Sequence, residues 1–297
     1  MKYHYRVVNV FTRRGERLSG NPLCVFEDGR GLSDADQQAL ALQFNLSETS
    51  FILPVSASEA ASAEAAAAAG ASKVTVHVRI FTPAMELPFA GHPTLGTAHV
   101  VRALLATGDS VRLALKAGVI PANAAGDRWT LQANAPVTRA FDAVQTPALA
   151  AALGVKTDDF AAAPLWVNAG MEQLLVPLAS QEIVRRSAPG AGLAAFTNAS
   201  GKVSVYCFSP LAEAQMLVRF FFTKNAGSVA EDPATGSACA NFGGYALAVS
   251  APLPLQRVLH QGEQVGRPSI LMLEVDAART VRVSGEVIEL GRGSIDL

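Results

Sequence analysis

Three ionisable side chains stand where they could do chemistry: Glu48 within Asn45-Leu46-Ser47-Glu48-Thr49-Ser50-Phe51, His92 within Gly91-His92-Pro93, and Asp232 within Glu231-Asp232-Pro233. Glu48 enters a strand pattern beside Phe44 and Phe51. A carboxyl partly withdrawn from water there would have its pKa raised toward neutrality and could both take and return a proton. A solvated turn carboxylate is the commoner fate of a glutamate in such a place. His92 and Asp232 each precede a proline suited to the first position of a helix. Asp232 could simply cap that helix, whereas His92 is a poor cap and its placement asks for another reason. Immediately downstream, Gly96-Thr97 and Gly236-Ser237 would offer backbone amides and hydroxyls at helix starts, a setting that binds a small anion.

The alternatives leave little trace. There is no phosphate-binding glycine loop, no GxGxxG after a strand, no GxSxG, and no metal-ligand spacing among His4, His77, His92, His99 and His260. Neither a metal nor an organic cofactor is expected. Cys24, Cys207 and Cys239 are far apart and outside any CxxC; the first two fall in strand patterns and the third in an apolar helix, so they read as inert thiols in a reducing, cytoplasmic compartment. With 24 Lys+Arg against 25 Asp+Glu and a net charge of -1, the scattered charges argue against nucleic acid or an anionic membrane as partner. No apolar run is long enough to span a bilayer.

The elements that must hold these residues are mainly strands. Val74, Val76, Val78 and Ile80 alternate with Thr75, His77 and Arg79, and similar patterns cover 5–11, 23–26, 49–53, 129–133, 174–177, 203–208, 270–275 and 281–283. A helix opens at Ser33, which can cap it, and runs to Phe44. Two further helices, 93–106 and 234–249, are apolar nearly all round and rich in small residues, as expected of helices enclosed by sheet. His92-Pro93-Thr94-Leu95-Gly96-Thr97-Ala98 aligns without gaps on Asp232-Pro233-Ala234-Thr235-Gly236-Ser237-Ala238, an offset of 140 residues. Gly20-Asn21-Pro22-Leu23-Cys24-Val25 has a weaker echo in Ala169-Gly170-Met171-Glu172-Gln173-Leu174. Both imply a duplicated unit with a boundary near 121–127. The lobes expected are 1–122, completed by 286–297, and 123–285. The alanine-rich stretch 56–72 reads as a surface insertion.

Gly20-Asn21-Pro22, the run 45–51, Pro88-Phe89-Ala90-Gly91-His92-Pro93-Thr94, Glu231-Asp232-Pro233-Ala234-Thr235-Gly236-Ser237-Ala238, Gln261-Gly262 and Gly266-Arg267-Pro268-Ser269 together resemble the phenazine-biosynthesis isomerase (PhzF-like) family, in order and spacing over essentially the whole chain. The resemblance implies the diaminopimelate epimerase-like fold: an α+β chain of two similar halves, each a curved, barrel-like mixed sheet around a central helix, with the active site between them. It implies a glutamate at Glu48 that moves a proton between two carbons without metal or cofactor. It also implies that His92 and Asp232 bind and polarise the substrate. Asn21, Ser47, Gly91, Thr94, Gly236 and Ser237 would bind the substrate, with amides near Gly91, Gly236 and Ser237 holding its carboxylate. A homodimer is implied as well. Racemase relatives use two facing cysteines; the helix-start positions here read Ala90 and Pro233, so thiol racemisation is not expected. One departure is Arg219-Phe220-Phe221-Phe222-Thr223 in place of the family's Arg-x-Phe-x-Pro, a difference that bears on substrate choice.

The expectation is therefore a cofactor-independent isomerase of a small carboxylated metabolite with Glu48 as single acid/base. The alternatives are an amino-acid or hydroxy-acid epimerase or racemase, which needs two bases, and a non-catalytic metabolite-binding protein on the same fold.

Overall fold

The computed structural model describes residues 1–55, 74–225 and 228–297; the alanine-rich stretch 56–72 lies outside the described residues. The chain forms two compact units, 1–131 with 285–297, and 132–284.

The first unit contains β1 (Lys2–Val10), β2 (Asn21–Phe26), β3 (Glu48–Leu53), β4 (Val76–Phe81), β5 (Glu86–Leu87), β6 (Ser110–Leu115), β7 (Gly118–Ala125) and β8 (Arg128–Gln132), of which β5, β6 and β7 are not among the expected strands, with helices α1 (Asp34–Phe44) and α2 (Gly91–Leu105). The expected boundary near 121–127 falls inside the β7–β8 hairpin, whose ladder pairs Ala122 with Leu131 and keeps both strands together. The second unit contains β9 (Val137–Ala140), β10 (Leu165–Asn168), β11 (Glu172–Pro177), β12 (Ser204–Ala212), β13 (Gln215–Asn225), β14 (Ser228–Asp232), β15 (Leu255–Gln261) and β16 (Ser269–Val275). Its helices are α3 (Thr146–Ala152), α4 (Gln181–Arg186) and α5 (Gly236–Ala248). Strand β17 (Val281–Asp296) pairs with β16 through Val281–Ser284 and with β1 from Val287 on.

The duplication is visible in the pairing. β1–β2 is antiparallel, β2–β3 parallel, β3–β4 and β4–β5 antiparallel, β4–β6 parallel and β6–β7 antiparallel. The series β10 to β16 repeats this sequence of directions step for step. Each half is thus a mixed sheet, and the chain is α+β. In each half one helix enters after the fifth strand of the series: α2 packs against β1, β2, β3, β6 and β7, and α5 against β9, β10, β11 and β16. These helices are apolar on most sides because strands surround them. Small residues permit the approach: a Cβ on Gly96 would lie 2.6 Å from Leu23 Cδ2, and one on Gly244 2.7 Å from Val167 Cγ1.

Two expectations about the helix starts are corrected. Helix α2 begins at Gly91, so Pro93 is its third residue, and α5 begins at Gly236, three residues beyond Pro233. Asp232 therefore does not cap α5; it ends β14, and the extended N-cap residues are Ala90 and Thr235, neither with a side-chain cap bond. The matching helix starts are Gly91 and Gly236, 145 residues apart, so the ungapped offset of 140 pairs a buried turn of α2 with the first turn of α5.

Candidate active site

In the first unit the turn out of α1 aims Glu48. Asn45 takes the left-handed conformation at φ 50° and returns its N–H to the Ala41 carbonyl, Leu46 and Ser47 make the bend, and Glu48 opens β3. Side chains alternate along β3, so Glu48 and Ser50 share a face. Ser50 Oγ is 2.7 Å from Thr97 Oγ1 on α2, while Phe51 points the other way into the cluster of Phe26, Leu40 and Phe81 with Phe44 packed on it. The aromatic rings expected to desolvate Glu48 thus lie across the sheet from it. His92 does so instead: its Nε2 is 3.4 Å from Glu48 Oε2, and both side chains are largely buried. The imidazole ring donates to the carbonyl of Pro22 at the start of β2, and burial, the largest influence, holds its pKa down to about 3. His92 is therefore neutral. With Nε2 outside any hydrogen bond, the ring N–H sits on the Pro22 side and Nε2 turns a lone pair toward Glu48.

The other first-unit residues have mixed placements. Asn21 is fully buried at the start of β2, and Ser47 and Gly91 are half-buried. Thr94 is fully buried, and its hydroxyl donates to the Ala90 carbonyl at 2.7 Å, so it ties the helix start instead of facing a ligand. Gly96 and Thr97 lie inside α2 and are buried, which removes the anion site expected of them.

In the second unit Asp232 is half-buried and its Oδ2 accepts from Thr235 Oγ1 at 2.5 Å. Gln261, at the end of β15, braces this turn. Its Nε2 donates to the Asp232 carbonyl at 2.9 Å and to Thr235 Oγ1 at 3.0 Å, and its Oε1 accepts from Thr235 N at 3.3 Å. Gly262 follows at φ +81°, where a Cβ would meet the Arg267 and Pro233 carbonyl oxygens at 2.2 and 2.6 Å. The residue before Asp232 is anchored too: Glu231 receives Arg219 Nε at 3.1 Å and Nη2 at 2.5 Å. Gly236 and Ser237, half-buried, open α5, and Ser237 Oγ accepts from Gln173 Nε2 at 2.9 Å.

Sequence reasoning singled out Gln261 only through the resemblance, and passed over Thr235, Gln173 and Asn241 as functional residues. Asn241 carried a signal: it is a fully buried amide in an otherwise apolar helix, and such a group must be hydrogen-bonded. The thiols are buried at Cys24, Cys207 and Cys239; burial raises all three pKa values, Cys207 to about 12. None is primed as a thiolate. Among the described residues no group of three or more His, Cys, Asp or Glu could hold a metal ion, and no helix is long and apolar enough to cross a membrane.

The register adds one asymmetry. Leu23, third in β2, pairs with Glu48, whereas Leu174, third in β11, pairs with Val205, fully buried. The place of the glutamate is held by a valine in the second half.

A family model for phenazine biosynthesis-like proteins matches residues 8–293. The chain belongs to this family. Among its relatives, an uncharacterized isomerase of Pasteurella multocida is 36% identical over 295 residues, covering 99% of this chain and 94% of that protein. The trans-2,3-dihydro-3-hydroxyanthranilate isomerase of Pseudomonas chlororaphis is 31% identical over 309 residues, covering 99% and 100%. The fold is that of a Bacillus anthracis PhzF-family phenazine biosynthesis protein, with a TM-score of 0.82 over the whole of both chains at 20% identity. This phenazine biosynthesis-like protein is an isomerase.

Proposed function

We propose that this isomerase moves a proton between two carbons of a small unsaturated carboxylate, with Glu48 as its single acid/base and without metal or organic cofactor. The observation that carries the reading is the approach of Glu48 Oε2 to His92 Nε2 at 3.4 Å, while the ring's other nitrogen is held by Pro22. Two acceptors facing each other in a buried place are compatible when a proton lies between them, which suits a carboxyl that alternates between acid and carboxylate.

The carboxylate takes a proton from one substrate carbon, and the electron pair of the broken C–H bond moves into the conjugated system as the double bond shifts. The carboxylic acid then returns the proton to another carbon, so no proton is consumed. His92 holds the acid form of Glu48 in place, and Asp232 binds a polar group of the substrate. Asn21, Ser47, Gly91, Gly236 and Ser237 complete the proposed binding set. Thr94 acts through the helix start it fastens. Val205 at the position matching Glu48, and Ala90 and Thr235 at the helix caps, favour one base over a two-base epimerase. The dihydro-hydroxyanthranilate named for the relatives is the model substrate for the class. A cytoplasmic homodimer belongs to the same reading, the compartment resting on three buried free thiols.

The test is turnover of trans-2,3-dihydro-3-hydroxyanthranilate and other small unsaturated carboxylates in heavy water. The wild-type enzyme should place solvent deuterium on substrate carbon, and Glu48→Gln should abolish that exchange while leaving binding nearly intact. Exchange unchanged by Glu48→Gln would remove the glutamate from the mechanism.

A further inference from the structure

The hydroxyl of Ser237 sits at the end of a hydrogen-bond chain whose polarity is fixed from its far end. The Met171 carbonyl can only accept and the Ala169 N–H can only donate. The fully buried Asn241 must therefore turn its amide nitrogen to Met171 O, at 2.8 Å, and its oxygen to Ala169 N, at 2.7 Å. The same Nδ2 also donates to Gln173 Oε1 at 2.7 Å. That sets the Gln173 amide, itself fully buried, so that Nε2 donates to Ser237 Oγ at 2.9 Å. A serine oxygen that accepts in this way keeps its own hydrogen for a different acceptor. Ser237 is half-buried in the first turn of α5, so of the three side chains in this relay its hydroxyl is the one not fully buried.

We propose that Gln173 and Asn241 are positioning residues that hold the Ser237 hydroxyl as a one-way donor, and that the acceptor it selects is the substrate carboxylate in preference to a neutral carboxamide. This rests on the reading of Ser237 as a substrate-binding residue. A donor locked in direction is an acid-recognition device: a hydrogen bond to a charged acceptor is roughly twice as strong as one to a neutral acceptor, and the serine need not reorient to make it. Gln173→Glu keeps the shape of the side chain and reverses the chain, because a carboxylate accepts from both neighbours and turns the serine hydrogen back into the protein. Asn241→Asp does the same from one residue further away, by freeing the Gln173 amide to flip.

The probes are anthranilate and anthranilamide, which differ in the acid group alone and, being aromatic, offer Glu48 no proton to move. Calorimetric titration should show the wild-type protein binding anthranilate more tightly than anthranilamide. Ser237→Ala, Gln173→Glu and Asn241→Asp should each weaken anthranilate by roughly 10- to 100-fold and anthranilamide by much less. The double variant Gln173→Glu/Ser237→Ala should bind anthranilate no more weakly than Gln173→Glu alone, since the relay acts only through the serine. Additive losses in the double variant, or equal wild-type affinity for the two probes, overturn the proposal. Should the buried Gln173 and Asn241 variants fail to fold, Ser237→Ala decides by itself: an unchanged ratio of the two affinities overturns the relay. Deuterium exchange by the wild-type enzyme is read separately, so a failed relay with exchange intact leaves the proton-transfer reading standing.

Discussion

The two halves share a plan and differ in the groups it holds. In each, a helix enters beside the second strand of the series, and its second residue is fastened by the second residue of that strand: His92 by the carbonyl of Pro22, Ser237 by the side chain of Gln173. The first half thereby fixes an imidazole that faces a carboxyl, and the second half fixes a hydroxyl with nothing titratable at the position matching Glu48, where Val205 stands. The registers also pair Phe81 with Glu86 and Phe220 with Asp232 at matching places. Glu86 is taken up by Arg79 at 2.8 Å and by Lys116, and hydrogen bonding to Arg79 holds its pKa down to about 2, so it stays an ion. Asp232 Oδ2 accepts from the hydroxyl of Thr235. On the proposed reading, the first half keeps the proton and the second keeps the ligand.

The largest effect should come from breaking that division. Positioned acid/base transfer is worth about 10²- to 10⁴-fold, so Glu48→Gln should lower turnover by at least that range. Asp232→Asn, which removes charge from a binding group and leaves the proton carrier in place, should cost about tenfold and act mainly on KM. Equal losses in kcat for the two variants would mean that both carboxyls handle the proton.

Next is the brace in the second half. Gly262→Ala forces a left-handed alanine against two carbonyl oxygens and pulls Gln261 away from the Asp232 turn. Thermal or denaturant unfolding should register a loss of about 2–4 kcal/mol. A smaller effect, confined to acid, tests the imidazole. The folded pKa of His92 lies near 3 and the unfolded one near 6.5, so the unfolded state binds the extra proton between these values and stability falls as pH drops through that window. His92→Gln, which can still donate to Pro22, should remove about one proton from this dependence, a slope of about 1.4 kcal/mol per pH unit in chemical denaturation from pH 6 to 4. An unchanged slope would mean that His92 is charged in the folded protein.

Much of this was legible beforehand for physical reasons. Alternation marked β4 because one of its faces is more buried than the other, β3, β11 and β12 read as strands although most of their residues are buried on both faces, and Ser33 with Asp36 announced the start of α1. The two central helices showed themselves by being apolar all round. Their first residues did not, because Ala90 and Thr235 cap nothing with their side chains and the prolines at 93 and 233 pointed to the wrong position. The neighbour of Glu48 was misjudged for a similar reason: Phe51 is close in sequence but lies on the opposite face, while His92 arrives from a helix more than forty residues away. Contacts such as Gln173 to Ser237 and Gln261 to Thr235 join residues 64 and 26 positions apart, which no local pattern encodes.

The smallest effect separates capping from positioning. Ser33 closes a capping box on α1: its hydroxyl accepts from Asp36 N at 3.1 Å, and the Asp36 carboxylate accepts from Ser33 N at 3.0 Å. Thr235 occupies the same kind of place before α5, yet its hydroxyl donates to Asp232 and accepts from Gln261, leaving the helix amides uncapped. Ser33→Ala should therefore lower stability by about 1 kcal/mol with kcat/KM unchanged. Thr235→Ala should do the reverse, with a larger loss in kcat/KM than in stability, because what it releases is the rotamer of Asp232. Thr235→Ser, which keeps the hydroxyl, should restore most of the activity. If Thr235→Ala only destabilises the fold and Thr235→Ser rescues nothing, the threonine is an ordinary turn residue and Asp232 does not depend on it for its orientation.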